Sequence, residues 1–169
     1  MTAAPKLPFD PIERAAENWQ GTWGDPRRMR LATSVMRVHQ MLLGAYDEAL
    51  RPHGLTFARF EALALLRFSS SGALPMKVIG DRLQVHPTSV TNIIERLTAA
   101  GLVERAKNPR DGRGVLASLT DEGVRVVEAA AADLMKLDFA LADLDDDDVD
   151  AVVRIFARLR AHAGDFEAR

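Results

Sequence analysis

A stretch in the middle of the chain, HPTSVTNIIERLTAAGLVERAKNPRDGRG (residues 86–114), places small polar side chains beside an arginine-bearing loop. Hydroxyl, amide and guanidinium groups bond to base edges and phosphates, and short side chains let a helix approach a duplex closely. Between them, apolar residues recur at the i, i+3, i+4, i+7 spacing of a buried helical stripe, so the polar residues face outward. The residues that point outward are Thr88, Asn92, Glu95 and Arg96, with Ser89 and Thr91 on the flanks.

The elements around this stretch predict a helix-turn-helix followed by a β-hairpin. Pro75 is expected at the first position of a short helix, and Gly80 within that helix indicates close packing against a neighbour. The short connection QVH leads to Pro87, which opens the second helix. Gly101 is expected to end it in a left-handed cap, and the runs LVERAK and VLASL, joined by NPRDGRG, predict the hairpin.

The tip of the predicted hairpin carries Arg110 and Arg113. Arginines at a hairpin tip can reach a neighbouring minor groove, where the electrostatic potential is negative. Each of these features alone is more typical of an ordinary solvated surface. In this order and combination they favour DNA binding over a merely solvated helix face.

Charge is distributed unevenly along the chain. The formal net charge is −2, yet residues 74–116 hold seven basic and four acidic residues. Residues 128–150 hold nine acidic residues and one lysine. This distribution, with a basic segment and the acidic residues elsewhere, is expected of a protein that binds a polyanion on one face.

Two further apolar stripes indicate helices with more apolar surface than one such chain can cover. The first runs from Leu31 to Ala49 in a long helix that begins after Pro26. The second runs from Val149 to Leu159 in a last helix, and the aspartates at 145–148 favour its N-terminus. Paired stripes of this kind predict a homodimer.

The remaining segments complete a mainly helical chain. Residues 1–26 form an extension that contains Trp19 and Trp23 and a short helix around residues 11–20. Thr56 is expected to cap a helix over TFARFEALALLRF. Thr120 is expected to cap an alanine-rich helix that continues to about Leu141.

The 169-residue sequence contains no motif typical of an enzyme, such as a Gly-x-Ser-x-Gly elbow, a phosphate loop or a His-Glu-x-x-His element. Its four histidines show no close ligand pairing, and the aspartate run lacks the spacing of a calcium loop. The absence of cysteine excludes disulfides and thiol sensing. We therefore expect no catalytic site, metal or cofactor, and a cytoplasmic protein without a membrane span.

Residues 29–160 resemble the MarR family, the multiple antibiotic resistance type of winged-helix transcriptional regulator, most specifically in LQVHPTSVTNIIERLTAAGLVER and NPRDGRGVLASLTDEG. The resemblance implies a mainly α fold with a small β-hairpin wing, in which a winged helix-turn-helix is flanked by dimerisation helices. The expected units are an N-terminal extension (1–26), a dimerisation helix (27–54), the DNA-binding lobe (55–119) and C-terminal dimerisation helices (120–164).

The resemblance also implies roles for individual residues. The residues that would touch the major groove are Thr88, Ser89, Thr91, Asn92 and Arg96, while Arg113 would enter the minor groove and Asp111 would hold it in place. Gly112 stands where many members have a second arginine. The family typically forms a homodimer that binds a pseudo-palindromic operator and represses transcription. The alternative is a winged-helix module that binds another protein instead of DNA.

A small-molecule effector, often an aromatic acid or a related metabolite, is a further expectation from the family. It would bind where the dimerisation helices meet the DNA-binding lobe and would change the spacing of the two recognition helices. Core packing for the phenylalanines and ordinary surface positions for Arg59 and His39 are the competing interpretation. The candidate ligand residues are His39, Tyr46, Phe57, Arg59 and Phe60.

Overall fold

The computed structural model describes residues 6–109 and 114–167, which form seven α-helices and three β-strands. The helices are α1 (Pro11–Trp23), α2 (Arg27–Leu50), α3 (Phe57–Arg67), α4 (Met76–Leu83), α5 (Pro87–Ala99), α6 (Asp121–Lys136) and α7 (Asp146–His162). The strands are β1 (Ala73–Pro75), β2 (Val103–Lys107) and β3 (Val115–Leu119). This confirms the predicted mainly α fold with a β-hairpin wing.

The three strands form an antiparallel sheet in which β3 lies between β1 and β2. The predicted hairpin is β2 and β3, with Val103 opposite Leu119. Strand β1 was not predicted, because three residues are too short to show an alternating pattern. Pro75 is consequently the last residue of β1, opposite Leu116, rather than the first residue of a helix, and α4 begins one residue later.

The hydrophobic core lies between α3, α4, α5, α6 and the sheet, with the end of α2 packed against it. The apolar stripe of α5 is buried as predicted, since Val90, Ile94 and Leu97 are at most 2% exposed. Burial of a complete aliphatic side chain contributes about 1.5–3 kcal/mol, so this stripe fixes which face of α5 meets the solvent. The other core residues without solvent exposure include Leu50, Leu63, Ile79 and Leu134.

Of the two threonines predicted to cap helices, one does so in the structure. Thr120 caps α6, because its Oγ1 accepts the backbone N–H of Gly123 at 2.9 Å and donates to the carbonyl of Gly101 at 2.7 Å. Thr56 precedes α3 as expected but makes no side-chain capping bond. The carboxylate of Asp47 accepts the N–H of Phe57 instead, at 2.7 Å. This cap comes from another helix, and a local sequence pattern does not contain that information.

Helix α6 ends earlier than the predicted Leu141. Its last residue is Lys136, and a short turn at Asp138–Ala140 follows, in which all three residues have φ near +50°. This left-handed backbone stops the right-handed helix. Asp145 then caps α7 by accepting the N–H of Asp148 at 2.8 Å, so the acidic run begins the last helix as predicted.

The N-terminal extension contains a longer helix than the expected residues 11–20. Asp10 caps α1, Ala16 is buried and Trp19 contacts Trp23 edge to face at a centroid distance of 4.8 Å. None of the helices in the described ranges is long and apolar enough to cross a membrane.

Gly123 provides a test of how α6 packs on the loop before β2. A Cβ atom at this position would lie 2.1 Å from the backbone carbonyl oxygen of Leu102, and the backbone cannot move aside as a flexible side chain can. Gly123→Ala should therefore lower the free energy of unfolding by about 3 kcal/mol or more, measured by urea denaturation.

The matched control is Gly21→Ala in α1, where a Cβ atom would meet no other atom within 4 Å. This change should raise stability by about 0.5–1 kcal/mol, because alanine has the higher helix propensity. Equal effects of the two substitutions would contradict the close approach at Gly123.

Candidate nucleic-acid interface

Five of the outward and flanking residues predicted on α5 form one exposed surface, here called the polar face. It consists of Thr88, Ser89, Thr91, Asn92 and Arg96. The buried stripe on the other side of α5 holds the helix in place. A helix that is buried along one side and carries short polar groups along the other has the shape and chemistry required to enter a major groove.

The N-terminus of α5 is fixed by His86. Its Nδ1 atom accepts the backbone N–H of Thr88 at 3.3 Å, and Pro87 occupies the first helical position. His86 is thus the N-cap residue of α5.

Two residues of the polar face are bonded to each other. The Nε atom of Arg96 donates to Oδ1 of Asn92 at 2.8 Å. This contact was not predicted from the sequence, although a separation of four residues on a helix is the signal for it. The bond orients the guanidinium group and leaves the amide nitrogen of Asn92 as a donor for another acceptor.

The position of α5 depends on close contacts with α4 and β2. A Cβ atom on Gly80 of α4 would lie 3.1 Å from Cγ2 of Val90, which confirms the predicted close packing. On the other side, Glu95 of α5 pairs with Arg105 of β2 at 3.7 Å, a contact that was also not predicted. Helix α5 and strand β2 are therefore connected by an ion pair as well as by core packing.

The wing is described up to its tip. Asn108 donates its backbone N–H to the carbonyl of Gly114 at 2.9 Å, which brings the two ends of the tip together. The predicted DNA contacts Arg110, Asp111 and Arg113 lie outside the described residues. Their roles remain predictions.

Comparison with known proteins identifies the fold. Residues 53–114 match the profile of the MarR family. A crystal structure of a MarR family transcriptional regulator from Streptomyces coelicolor is 51% identical to this chain and superposes with a TM-score of 0.79. The alignment covers 84% of this chain and 99% of that protein.

The chain belongs to the MarR family. It is therefore a DNA-binding transcriptional regulator rather than an enzyme. A structure of MarR from E. coli in complex with operator DNA has 26% identity and a TM-score of 0.71, over 79% of this chain and 96% of MarR. The transcriptional repressor MdtR of Bacillus subtilis is 33% identical over 90 residues, which span 53% of this chain and 57% of MdtR.

The candidate effector residues of this MarR family member divide into two groups. Three of them are brought together, since the ring centroids of Tyr46 and Phe57 are 4.7 Å apart and those of Phe57 and Phe60 are 6.2 Å apart. Phe139 joins them with its ring centroid 6.0 Å from that of Tyr46, and no sequence pattern indicated its presence there. We call Tyr46, Phe57, Phe60 and Phe139 the aromatic cluster.

The two basic candidates lie elsewhere. Arg59 donates to the carbonyl of Gly54 at 3.1 Å. His39 is exposed and lines an apolar groove between α2 and α7. Whether any of the five residues binds a ligand remains a prediction.

Burial raises the pKa of the Tyr46 phenol, because phenolate is poorly solvated inside the protein. Tyr46 is the single tyrosine of the chain. Phenolate absorbance should therefore appear at higher pH in the folded protein than in urea, where the pKa is about 10. The stability associated with this group should be complete below that value and decrease as pH rises through the folded pKa.

Identical titration midpoints in the folded and urea-unfolded protein would show that Tyr46 is exposed to solvent. The alkaline limit of the measurement is set by unfolding, which circular dichroism monitors in the same samples.

Proposed function

We propose that this protein binds a pseudo-palindromic DNA operator as a homodimer and represses transcription until a small molecule lowers its affinity for DNA. The observation that carries the proposal is the polar face of α5, which is exposed, small in side-chain size and held by a buried stripe. On β2, Lys107 adds exposed positive charge, whereas Arg105 is paired with Glu95. Such charge binds phosphates and supplies affinity that does not depend on sequence.

A second copy of the chain is proposed because the two outer helices are incompletely covered. All residues of α7 are described, and none of them is buried. Val153 on α7 is 60% exposed and Leu31 on α2 is 56% exposed. Contiguous apolar surface of this kind marks an interface.

An apolar groove of about 770 Å³ lies between α2 and α7 and gives the interface its shape. Its apolar lining includes Val35, Val38, Leu42, Val149, Val152, Val153 and Phe156. We propose that helices of the second copy fill this groove. The division into a dimerisation helix, a winged DNA-binding lobe and C-terminal dimerisation helices, as drawn from the sequence, is part of the same proposal.

In the proposed complex, the polar face of α5 enters the major groove. Arg110 and Arg113 of the wing contact the backbone and the adjacent minor groove, with Asp111 orienting Arg113. Two copies of α5 must then lie about 34–36 Å apart, or a multiple of that distance, to meet half-sites on one side of the duplex. An effector acts by changing this separation.

Repression and effector binding have separate support. MdtR, a relative over about half of this chain, is a transcriptional repressor. The aromatic cluster lies where α2, α3 and the segment after α6 meet, which is the junction between the winged lobe and the outer helices. A flat aromatic ligand could stack on such side chains.

Binding to a labelled mixed-sequence duplex of about 30 base pairs tests the function most simply, since that length holds two half-sites one turn apart. We expect an affinity that falls steeply with salt, because bound phosphates release counterions. A module that binds only proteins would show no such salt dependence. That result would favour the alternative function.

Replacing Asn92 tests whether the polar face reads sequence. Asn92→Ala should change the base preference at one position in each half-site, with a loss of about 1–3 kcal/mol of discrimination there. The measurement is selection of binding sites from a random duplex library by the native protein and the variant. Gln20→Ala, an exposed polar position on α1, serves as the control and should select the native sites.

If the Asn92→Ala protein selected the same sites as the native protein, Asn92 would not be a base-reading residue. Its role would then be limited to holding Arg96.

Replacing Val153 tests the dimer. Val153 lines the apolar groove, and a carboxylate there would be buried by the second copy, so Val153→Asp should produce monomers at micromolar concentration in analytical ultracentrifugation. Phe68→Asp is the matched control, because Phe68 is 82% exposed at the end of α3, away from the groove. We expect this control to remain a dimer, and a native protein that sedimented as a monomer would contradict the proposal.

A further inference from the structure

The segment between α6 and α7 has an unusual backbone. Asp138, Phe139 and Ala140 have φ values of +50°, +49° and +55°. Residues with a Cβ atom normally visit this left-handed region singly, because each of them loses free energy there through contact between Cβ and the carbonyl oxygen. Three in succession without a glycine therefore form a strained turn, here called the left-handed turn.

Burial does not account for this conformation. Phe139 is 39% exposed, and its two neighbours in the turn are exposed as well. Backbone hydrogen bonds close the turn locally, from Ala140 N–H to the Leu137 carbonyl and from Leu141 N–H to the Asp138 carbonyl, both at 2.9 Å. Such bonds also form in right-handed turns, so another contact must select the left-handed form.

Tyr46 of α2 provides that contact. Its hydroxyl group donates to the backbone carbonyl of Phe139 at 2.8 Å, and the two rings meet edge to face. Tyr46 itself is only 8% exposed. The hydrogen bond is made to the middle residue of the turn and depends on where that carbonyl points. A right-handed backbone would turn the carbonyl away.

The part of helix α2 that contains Tyr46 also contacts the winged lobe. The ring of Tyr46 packs on Phe57 at the start of α3, and the neighbouring Asp47 caps that helix through the Phe57 N–H. Phe57 in turn packs on Phe60, which belongs to the core. Residues 46 and 47 therefore connect the left-handed turn to the lobe that carries α5.

On its other side, the left-handed turn leads into the surface proposed for the second copy. Ala140 and Leu141 line the apolar groove, and α7 follows within a few residues. The conformation of the turn decides in which direction α7 leaves the winged lobe. Because α7 and the first half of α2 would bind the second copy, that direction also sets the separation of the two α5 helices.

We propose that the hydrogen bond from Tyr46 to Phe139 is a latch that keeps the left-handed turn strained, and that release of this latch reorients α7 relative to the winged lobe. Because the turn is strained, it favours a second orientation of α7. The hydrogen bond from Tyr46 determines which of the two orientations the protein adopts. The consequence for DNA affinity rests on the proposed function. The strain in the turn and its dependence on Tyr46 do not.

The strain is tested by glycine substitutions, because glycine adopts positive φ without cost. Asp138→Gly should raise the midpoint of thermal unfolding. The control Ala129→Gly, at an exposed position of α6, should lower it. If both substitutions lowered the midpoint equally, the turn would not be left-handed in solution and the proposal would fail, whether or not the protein binds DNA.

The latch is tested by Tyr46→Phe, which keeps the ring and removes the hydroxyl group. This variant should bind a library-selected operator duplex more weakly, by a factor of up to about tenfold, since one hydrogen bond contributes a net amount of that order. Adding Asp138→Gly should restore part of the affinity, because the turn is then less strained and depends less on the latch. A simple loss of packing around Tyr46 would not be rescued by this glycine, because the substitution removes an exposed side chain and adds no contact to the ring of residue 46.

Two results would overturn the proposal: an unchanged DNA affinity of Tyr46→Phe, or a loss that Asp138→Gly does not reduce. If the native protein bound no duplex, the proposed function would fail instead. The proposal would then be decided by thermal unfolding, in which Tyr46→Phe should lower the midpoint less in the Asp138→Gly background than in the native one.

Discussion

Burial of one side of α5 is the constraint on which the rest of the structure depends. Val90, Ile94 and Leu97 anchor the helix in the core. Their helical spacing places the polar face on the opposite, solvent-exposed side of α5. The cost of exposing those three side chains, several kcal/mol in all, is far larger than any single contact that the polar residues make on the surface. The packing of Gly80 against Val90 then fixes α4 beside it. Function at this face is thus a consequence of how the opposite face is packed.

Much of this arrangement could be predicted from local patterns, because local patterns report burial. The stripe of α5, the cap at Thr120, the glycine contact at Gly80 and the hairpin all follow from residue type and spacing. The aspartates before α7 are placed correctly for the same reason, since a helix N-terminus favours negative charge wherever it lies. To predict the polar face, only the helical period was needed in addition to the buried stripe.

The features that were missed depend on contacts between distant parts of the chain or on backbone strain. Strand β1 forms because β3 offers an open edge, and its three residues contain no pattern. Asp47, rather than Thr56, caps α3 because α2 passes close to that helix end. The left-handed turn contains no glycine, so nothing in its composition indicates positive φ. The φ angles of its backbone and its hydrogen bond with Tyr46 are seen only in the structure.

These observations connect two parts of the molecule, the winged lobe that carries α5 and the outer helices that we propose bind a second copy. The absence of cysteine allows a direct measurement of the central claim, because Ala99→Cys would introduce one attachment site per chain for a spin label at the exposed end of α5, outside the polar face. Pulsed electron paramagnetic resonance on the labelled protein bound to duplex DNA should give one distance between copies, near 34–36 Å or a multiple of about that length. The absence of a distance between copies, or a distance that matches no whole number of helical turns, would contradict the account.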